Sequence, residues 1–176
     1  MHATPYHIAA RPKAPAWCRY ALQRGLPRLL VIAALLSPPA FAQSSSPEAS
    51  AVQAVLDQYK QAIERLDATG TERLFSSDST IFESGAREGT YAQYLAHHLG
   101  PELKQFSSFR FSNYRASVRV ENGLALANEA YDYAITTKAG ETVQRRGVAT
   151  SVLKKVAGGW RILVLHTSSR KPPAAK

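Results

Sequence analysis

Between residues 50 and 70 the apolar positions Val52, Val55, Leu56, Tyr59, Ile63 and Leu66 recur at steps of three and four. That period lays them on one face of an amphipathic helix, and Gly70 is its stop signal. "TERLF" (71–75) predicts one more turn, and "STIF" a short strand that enters the turn-rich segment "ESGAREG". Gly89-Thr90 reads as the start signal of a further helix beginning near Tyr91. From Phe106 the apolar period falls to two. Four runs rich in β-branched and aromatic residues follow, separated by "ENG", "KAGE" and "AGG". Such runs joined by Gly-containing turns predict an antiparallel meander. Strands longer than about ten residues bend, so bulges and strong curvature are expected.

Helices followed by a curved meander give an α+β fold. The expected shape is a cone, with N-terminal helices packed on a strongly curved antiparallel sheet of four strands plus one short one. A curved sheet wrapped on helices leaves a hollow.

The first 42 residues are read apart from this plan. Arg11, Lys13, Arg19, Arg24 and Arg28 precede the apolar run "LLVIAALL", then "SPP" and "AFA". A basic start, an apolar middle and a small-x-small end predict a secretory signal cut after Ala42. The run is too short for a bilayer, which needs about 20 residues. The organisation expected is a leader over 1–42, a polar lead-in over 43–49, one domain over 50–170 and a basic tail over 171–176. The mature protein is expected in the periplasm or outside the cell, without stable membrane association.

Removing the leader changes the charge. The whole chain is +9, but five basic and no acidic residues leave with residues 1–42, so the rest is near +4. No aromatic-interleaved basic motif is present, and nucleic acid is not an expected partner. The single cysteine, Cys18, also leaves. The mature chain therefore has no disulfide, thiol nucleophile or cysteine metal ligand. No Gly-rich phosphate loop or G-x-S-x-G elbow occurs, and no cofactor is implied.

Candidate chemistry gathers in "FESGAREGTYAQYLAHHLGPEL", with Glu83, Glu88, His97, His98 and Glu102. At about 100° per residue, Tyr91, Tyr94, Leu95 and His98 share one helix face, so His98 is the inward histidine. Glu102 lies four residues later, the spacing at which helical side chains meet. Pro101 predicts that the helix stops near Leu99 and a new turn opens. Glu83 ends the short strand and is aimed at the hollow; Glu88 complements the helix dipole. On the second long strand Glu129, Tyr131, Tyr133 and Ile135 alternate onto one face. On the last strand Trp160, Ile162, Val164, His166 and Ser168 share a face, which would carry His166 to the mouth of the hollow. Tyr59 supplies a phenol from helix 1, or serves as a core aromatic. His98 lines the hollow or is a core histidine bonded to an acid; His166 lines it or fastens the last strand. Arg110, Arg119, Arg145 and Lys154 are read as alternating polar residues of the outer sheet face.

The order of elements, the ending "GGWRILVLHTSS" and the "ESG…E…HHLGPEL" stretch resemble the nuclear transport factor 2-like superfamily. The likeness is to its SnoaL-like and calcium/calmodulin-dependent kinase association-domain branch, over about residues 50–170. Members include isomerases, cyclases, dehydratases and plain binding modules, so the resemblance implies the cone fold and leaves function open. It also implies homodimers paired through the outer sheet face.

The reading put first is a small-molecule-binding domain with a polar-lined apolar cavity. Its catalytic-type residues are His98, Glu83, His166 and Glu129; its ligand contacts are Tyr59, Tyr91, Tyr94, Tyr131, Glu102 and Trp160. One alternative is a cofactor-free acid–base enzyme acting on a small carbonyl compound. Another is a metal site of His98, His166 and one glutamate.

Overall fold

The structure is a computed structural model that describes residues 46–173. The predicted leader and its cleavage point, residues 43–45 of the lead-in and residues 174–176 of the tail lie outside the described residues.

Helix α1 (Pro47–Glu64) starts inside the predicted lead-in because its cap is there. The Ser46 side chain accepts the Ala49 N–H at 3.1 Å, and Pro47 takes a first-turn position where a missing N–H costs nothing. Val52, Val55, Leu56 and Ile63 are buried, as the periodicity predicts. The helix ends at Glu64 and not at Gly70, since Leu66 turns left-handed at φ 57°. A 3-10 turn (Thr71–Leu74) leads into β1 (Phe75–Glu83).

β2 (Ala86–Gly89) follows, hidden in the sequence by its turn-like composition. Ser84 and Gly85 both have positive φ, 49° and 93°, which is what a tight two-residue hairpin requires. Then come α2 (Tyr91–Tyr94), a π-helical turn (Leu95–Leu99) and α3 (Gly100–Leu103), running on without a break. Thr90 caps α2 in a reciprocal capping box with Gln93. The meander is β3 (Phe106–Glu121), β4 (Leu124–Thr137), β5 (Thr142–Val156) and β6 (Gly159–Arg170).

The expected stop at Pro101 does not occur. The π turn widens the helix so that Gly100 N–H bonds to Leu95 O, and Pro101 falls in the first turn of α3. A ring that would clash in an uninterrupted α-helix is thereby accommodated. Gly100 is required for this: a β-carbon there would lie 2.5 Å from the Leu95 carbonyl oxygen.

The sheet has six strands in the order β2-β1-β6-β5-β4-β3. It is mixed: β1 runs parallel to β6, and all other pairs are antiparallel. The expected four strands and a short one thus become a meander extended by a two-strand hairpin. α1 lies across β3 and β6. The core between helices and sheet holds Val52, Leu56, Phe75, Ile81, Tyr91, Leu153, Trp160, Ile162 and Leu165.

Two bulges shape the inner face. In β3 the register shifts between Ser112 and Arg115, with Asn113 at φ 51°. In β6 Val164 pairs with Val152 and Ile162 with Leu153, so Leu163 is an extra residue. An extra residue reverses the alternation beyond it. Trp160 and Ile162 face inward before the bulge, Leu165 faces inward after it, and His166 is exposed.

Candidate functional site

A cavity of about 310 Å³ opens between α1, the α2–α3 segment and the inner face of the sheet. Its apolar wall includes Leu103, Phe106, Phe109, Phe111 and Ile135. Tyr59, Tyr94, Tyr131 and Tyr133 add rings with hydroxyls, and Glu83, Glu102, Arg145, Thr167, Ser168 and Ser169 supply the other polar groups.

The aromatic wall is built by register. Phe111 stands opposite Tyr133 and Phe109 opposite Ile135 across β3 and β4. The Phe109 and Tyr133 rings stack at 5.2 Å, and Phe111 meets Tyr131 edge-on at 5.0 Å. On β5 the residue facing Tyr131 is Gly147. A β-carbon at Gly147 would sit 2.3 Å from the Tyr131 ring, so the glycine lets that ring lie flat across its neighbour strand.

The acidic end is built from the β1–β2 hairpin and the helical segment. Tyr94 donates its hydroxyl to Glu83 at 2.6 Å. His98 Nδ1 lies 3.1 Å from Glu88, and its Nε2 lies 3.3 Å from Glu102 and 3.9 Å from Glu83. The His98–Glu102 contact, which the spacing allows and a helix stop at Leu99 leaves open, is therefore present. Desolvation pulls the imidazole pKa down, but the Glu88 hydrogen bond and the charges of Glu102, Glu83 and Glu88 outweigh it and raise the pKa. Burial raises Glu102, against the opposing pull of His98. His98 itself is not part of the cavity wall. It braces the two carboxylates that are.

Glu129 occupies a side compartment of about 40 Å³ that shares Tyr59, Phe111 and Tyr131 with the main cavity. The β3 bulge brings Tyr114 over it, and the Tyr114 hydroxyl donates to Glu129 at 2.6 Å. Burial raises the Glu129 pKa in spite of that bond. Burial likewise raises the Tyr59 hydroxyl, with nearby Tyr91, Glu83, Tyr131 and Glu129 adding to the shift.

Three predicted site residues stand elsewhere. His166 lies on the outer face, its ring 6.0 Å from that of Phe82, because the Leu163 bulge reverses the strict alternation on which its placement relied. Trp160 is buried at the other end of β6, where its indole N–H donates to Glu48 of α1 at 2.9 Å. Tyr91 is a core pillar: it stacks on Phe75 at 3.6 Å, and its hydroxyl shares a 2.6 Å hydrogen bond with Thr71. With His98 held among Glu83, Glu88 and Glu102 and His166 on the outer face, a metal set of both histidines and a glutamate does not assemble. Among the described residues no group of three or more potential ligands has metal-binding geometry.

The sequence also hid contributors. Arg145, read as an outer-face residue, lines the cavity. Glu88, read as a dipole complement, is the partner of His98 Nδ1. The signal for Arg145 was its register: it stands opposite Tyr133, already assigned to the same face as Glu129.

No curated protein matches the chain significantly by sequence. Among solved structures, a dehydratase candidate of the NTF2-like family from Streptomyces avermitilis aligns with TM-score 0.62 and 17% identity, over 70% of this chain and 96% of that one. A ketosteroid isomerase-like protein from Erwinia carotovora atroseptica aligns with TM-score 0.62 and 19% identity, over 73% and 100%. A candidate calcium/calmodulin-dependent protein kinase II association domain from Xanthomonas campestris aligns with TM-score 0.55 and 18% identity, over 70% and 87%. At such identities the likeness establishes the fold. The SnoaL-like domain model matches residues 52–172, nearly the whole of the described fold. The chain therefore belongs to the SnoaL-like domain family and has the nuclear transport factor 2-like fold.

Proposed function

We propose that this protein is an exported small-molecule-binding domain whose ligand is flat, largely apolar and furnished with a hydrogen-bond donor. The observation that carries the reading is the cavity itself, whose wall joins the packed rings of Phe109, Phe111, Tyr131 and Tyr133 with the carboxylates of Glu83 and Glu102. Its volume of about 310 Å³ suits one or two fused rings. Rings on both sides favour a flat guest, and a carboxylate accepts from an O–H or N–H. Export rests on the opening segment. Titration calorimetry with monocyclic and bicyclic phenols and hydroxyketones tests the reading. Saturable binding is expected, and Ile135→Trp, which fills the cavity, removes it. A full panel without such binding refutes the proposal.

A second reading is acid–base chemistry on a small carbonyl compound. Glu102 favours it, being a carboxyl at the cavity wall whose pKa burial raises toward the working range. It would take a proton from the carbon beside a carbonyl and return it, while the Tyr131 hydroxyl donates to the enolate oxygen. Deuterium exchange of 2-tetralone in heavy water, followed by NMR, reads this step. Exchange no faster than in buffer leaves the binding reading alone.

Pairing of two copies through the outer sheet face is part of the same proposal. Leu124, Leu126 and Val148 are 51%, 40% and 51% exposed on adjoining strands there. Sedimentation of wild type against Leu126→Lys tests it, the variant being expected as a monomer.

A further inference from the structure

Two neighbouring arginines on β5 are treated differently by the fold. Arg146 points to the outer face, where its Nε donates to Asp132 at 3.2 Å. Arg145, one residue earlier, faces inward, is half-buried and lines the cavity. Its Nη1 donates to the adjacent Gln144 carbonyl at 3.1 Å. Among the described residues no carboxylate forms an ion pair with it. The cavity's own carboxylates are engaged elsewhere, Glu83 by Tyr94 and Glu102 by His98.

Register separates the two kinds of charge. Glu83 stands beside Thr167, and Thr167 beside Ala149. Arg145 lies four residues from Ala149 along β5, roughly 13 Å at about 3.3 Å per residue. Near Arg145 the Tyr133 hydroxyl donates to Ser169 at 2.9 Å, which leaves the serine hydroxyl's own proton to offer. One end of the hollow thus carries a guanidinium fork and hydroxyls; the other carries carboxylates. A guanidinium drawn partly out of water without a counter-charge is costly, and its planar fork matches a carboxylate.

We propose that the ligand of this cavity is an organic anion, a flat aromatic or alicyclic carboxylate whose carboxylate docks on Arg145 while its far end reaches toward Glu83 and Glu102. The proposal rests on the small-molecule reading above and narrows it to a charge class. The carboxylate replaces the water around the guanidinium, and the ring lies along the wall formed by Phe109, Phe111 and Tyr133.

Two probes of nearly equal shape separate charge from fit: 2-naphthoate and its neutral methyl-ketone counterpart, 2-acetylnaphthalene. Each is titrated calorimetrically into wild type, Arg145→Gln and Arg145→Lys, with circular dichroism melts checking the fold. Wild type is expected to prefer the naphthoate by at least about tenfold, the scale of one charge-assisted hydrogen bond. Arg145→Gln is expected to erase that preference by weakening the naphthoate alone. Arg145→Lys is expected to retain part of it, as a point charge without the fork. Equal wild-type affinity for both probes, or a preference that survives Arg145→Gln, overturns the inference and leaves the small-molecule reading standing. Binding of neither probe overturns the inference, while the small-molecule reading falls only with its own panel of phenols and hydroxyketones.

Discussion

The Tyr94 hydroxyl and the Glu83 carboxylate, 2.6 Å apart, tie the helical wall of the cavity to the end of β1. Tyr94 is almost fully buried, so the bond is sheltered from competing water. Tyr94→Phe keeps the ring and deletes the donor. It is expected to lower stability by about 1.5–3 kcal/mol, the range for a hydrogen bond to a charged group. A urea midpoint identical to wild type would show that the bond contributes nothing.

The carboxylates around His98 make stability depend on pH, with a definite sign. The groups facing the ring are Glu88 on Nδ1, Glu102 and Glu83 on Nε2, and the Tyr94 ring at 5.3 Å. A histidine raised in the folded state favours the protonated form there. Its contribution is complete below the ordinary value of about 6.5 and is lost as pH rises through the raised value. His98→Gln is therefore expected to flatten the fall in melting temperature as pH rises above about 6.5. A wild-type melting temperature that rises across that window contradicts this account.

Glu129 follows the same direction in a lower window. Burial raises it, so its ionisation works against the fold increasingly as pH climbs from about 4.5 through the raised value. Glu129→Gln can still accept from Tyr114 and carries no charge. The variant is expected to melt at or above wild type near pH 8 and to lose that advantage near pH 4. Melting curves at the two pH values decide it.

Two glycines are held by close approach. Gly147→Ala drives a methyl into the Tyr131 ring and is expected to cost about 1–3 kcal/mol as overpacking. Tyr131→Ala should remove most of that penalty, a coupling that a double-mutant cycle measures. Gly100→Ala sets its methyl against the Leu95 carbonyl, a backbone atom that cannot swing aside. Its loss is expected to be at least as large, and the His98 pH dependence should weaken with it, because the π turn sets the spacing of His98 and Glu102.

Periodicity made the large elements legible. The stripe of α1 and the four long strands rest on repeated apolar positions, each supported by several side chains. Alternation put Glu129, Tyr131, Tyr133 and Ile135 on one face without telling which face is inner, and helical spacing allowed His98–Glu102 without requiring it. The departures have local causes. The β1–β2 hairpin needs only Ser84 and Gly85 to reverse the chain, so polar composition concealed a strand. One extra residue in β6 carried His166 out of the cavity. A π turn let the helix run past Pro101. Trp160 and Tyr91 were correctly read as inward-facing; what periodicity does not tell is whether an inward side chain meets packed core or open space. Arg145 shows the opposite limit, since charge alone suggested the surface.

The additional residue in β6 has a broader meaning for how this scaffold can diversify. Leu163 acts as a phase inverter: upstream of it the strand shows one set of side chains to the helices, and downstream the complementary set. Were Leu163 taken into the ladder opposite Val152, every downstream residue would slip by one, turning Thr167 outward and swinging His166 in beside Glu83, whereas excising it leaves Val164 on Val152, Leu165 on Ser151 and both faces as they are. A one-residue slip in pairing, with no change of sequence, is thus all that separates a hydroxyl-lined wall from an imidazole–carboxylate pair.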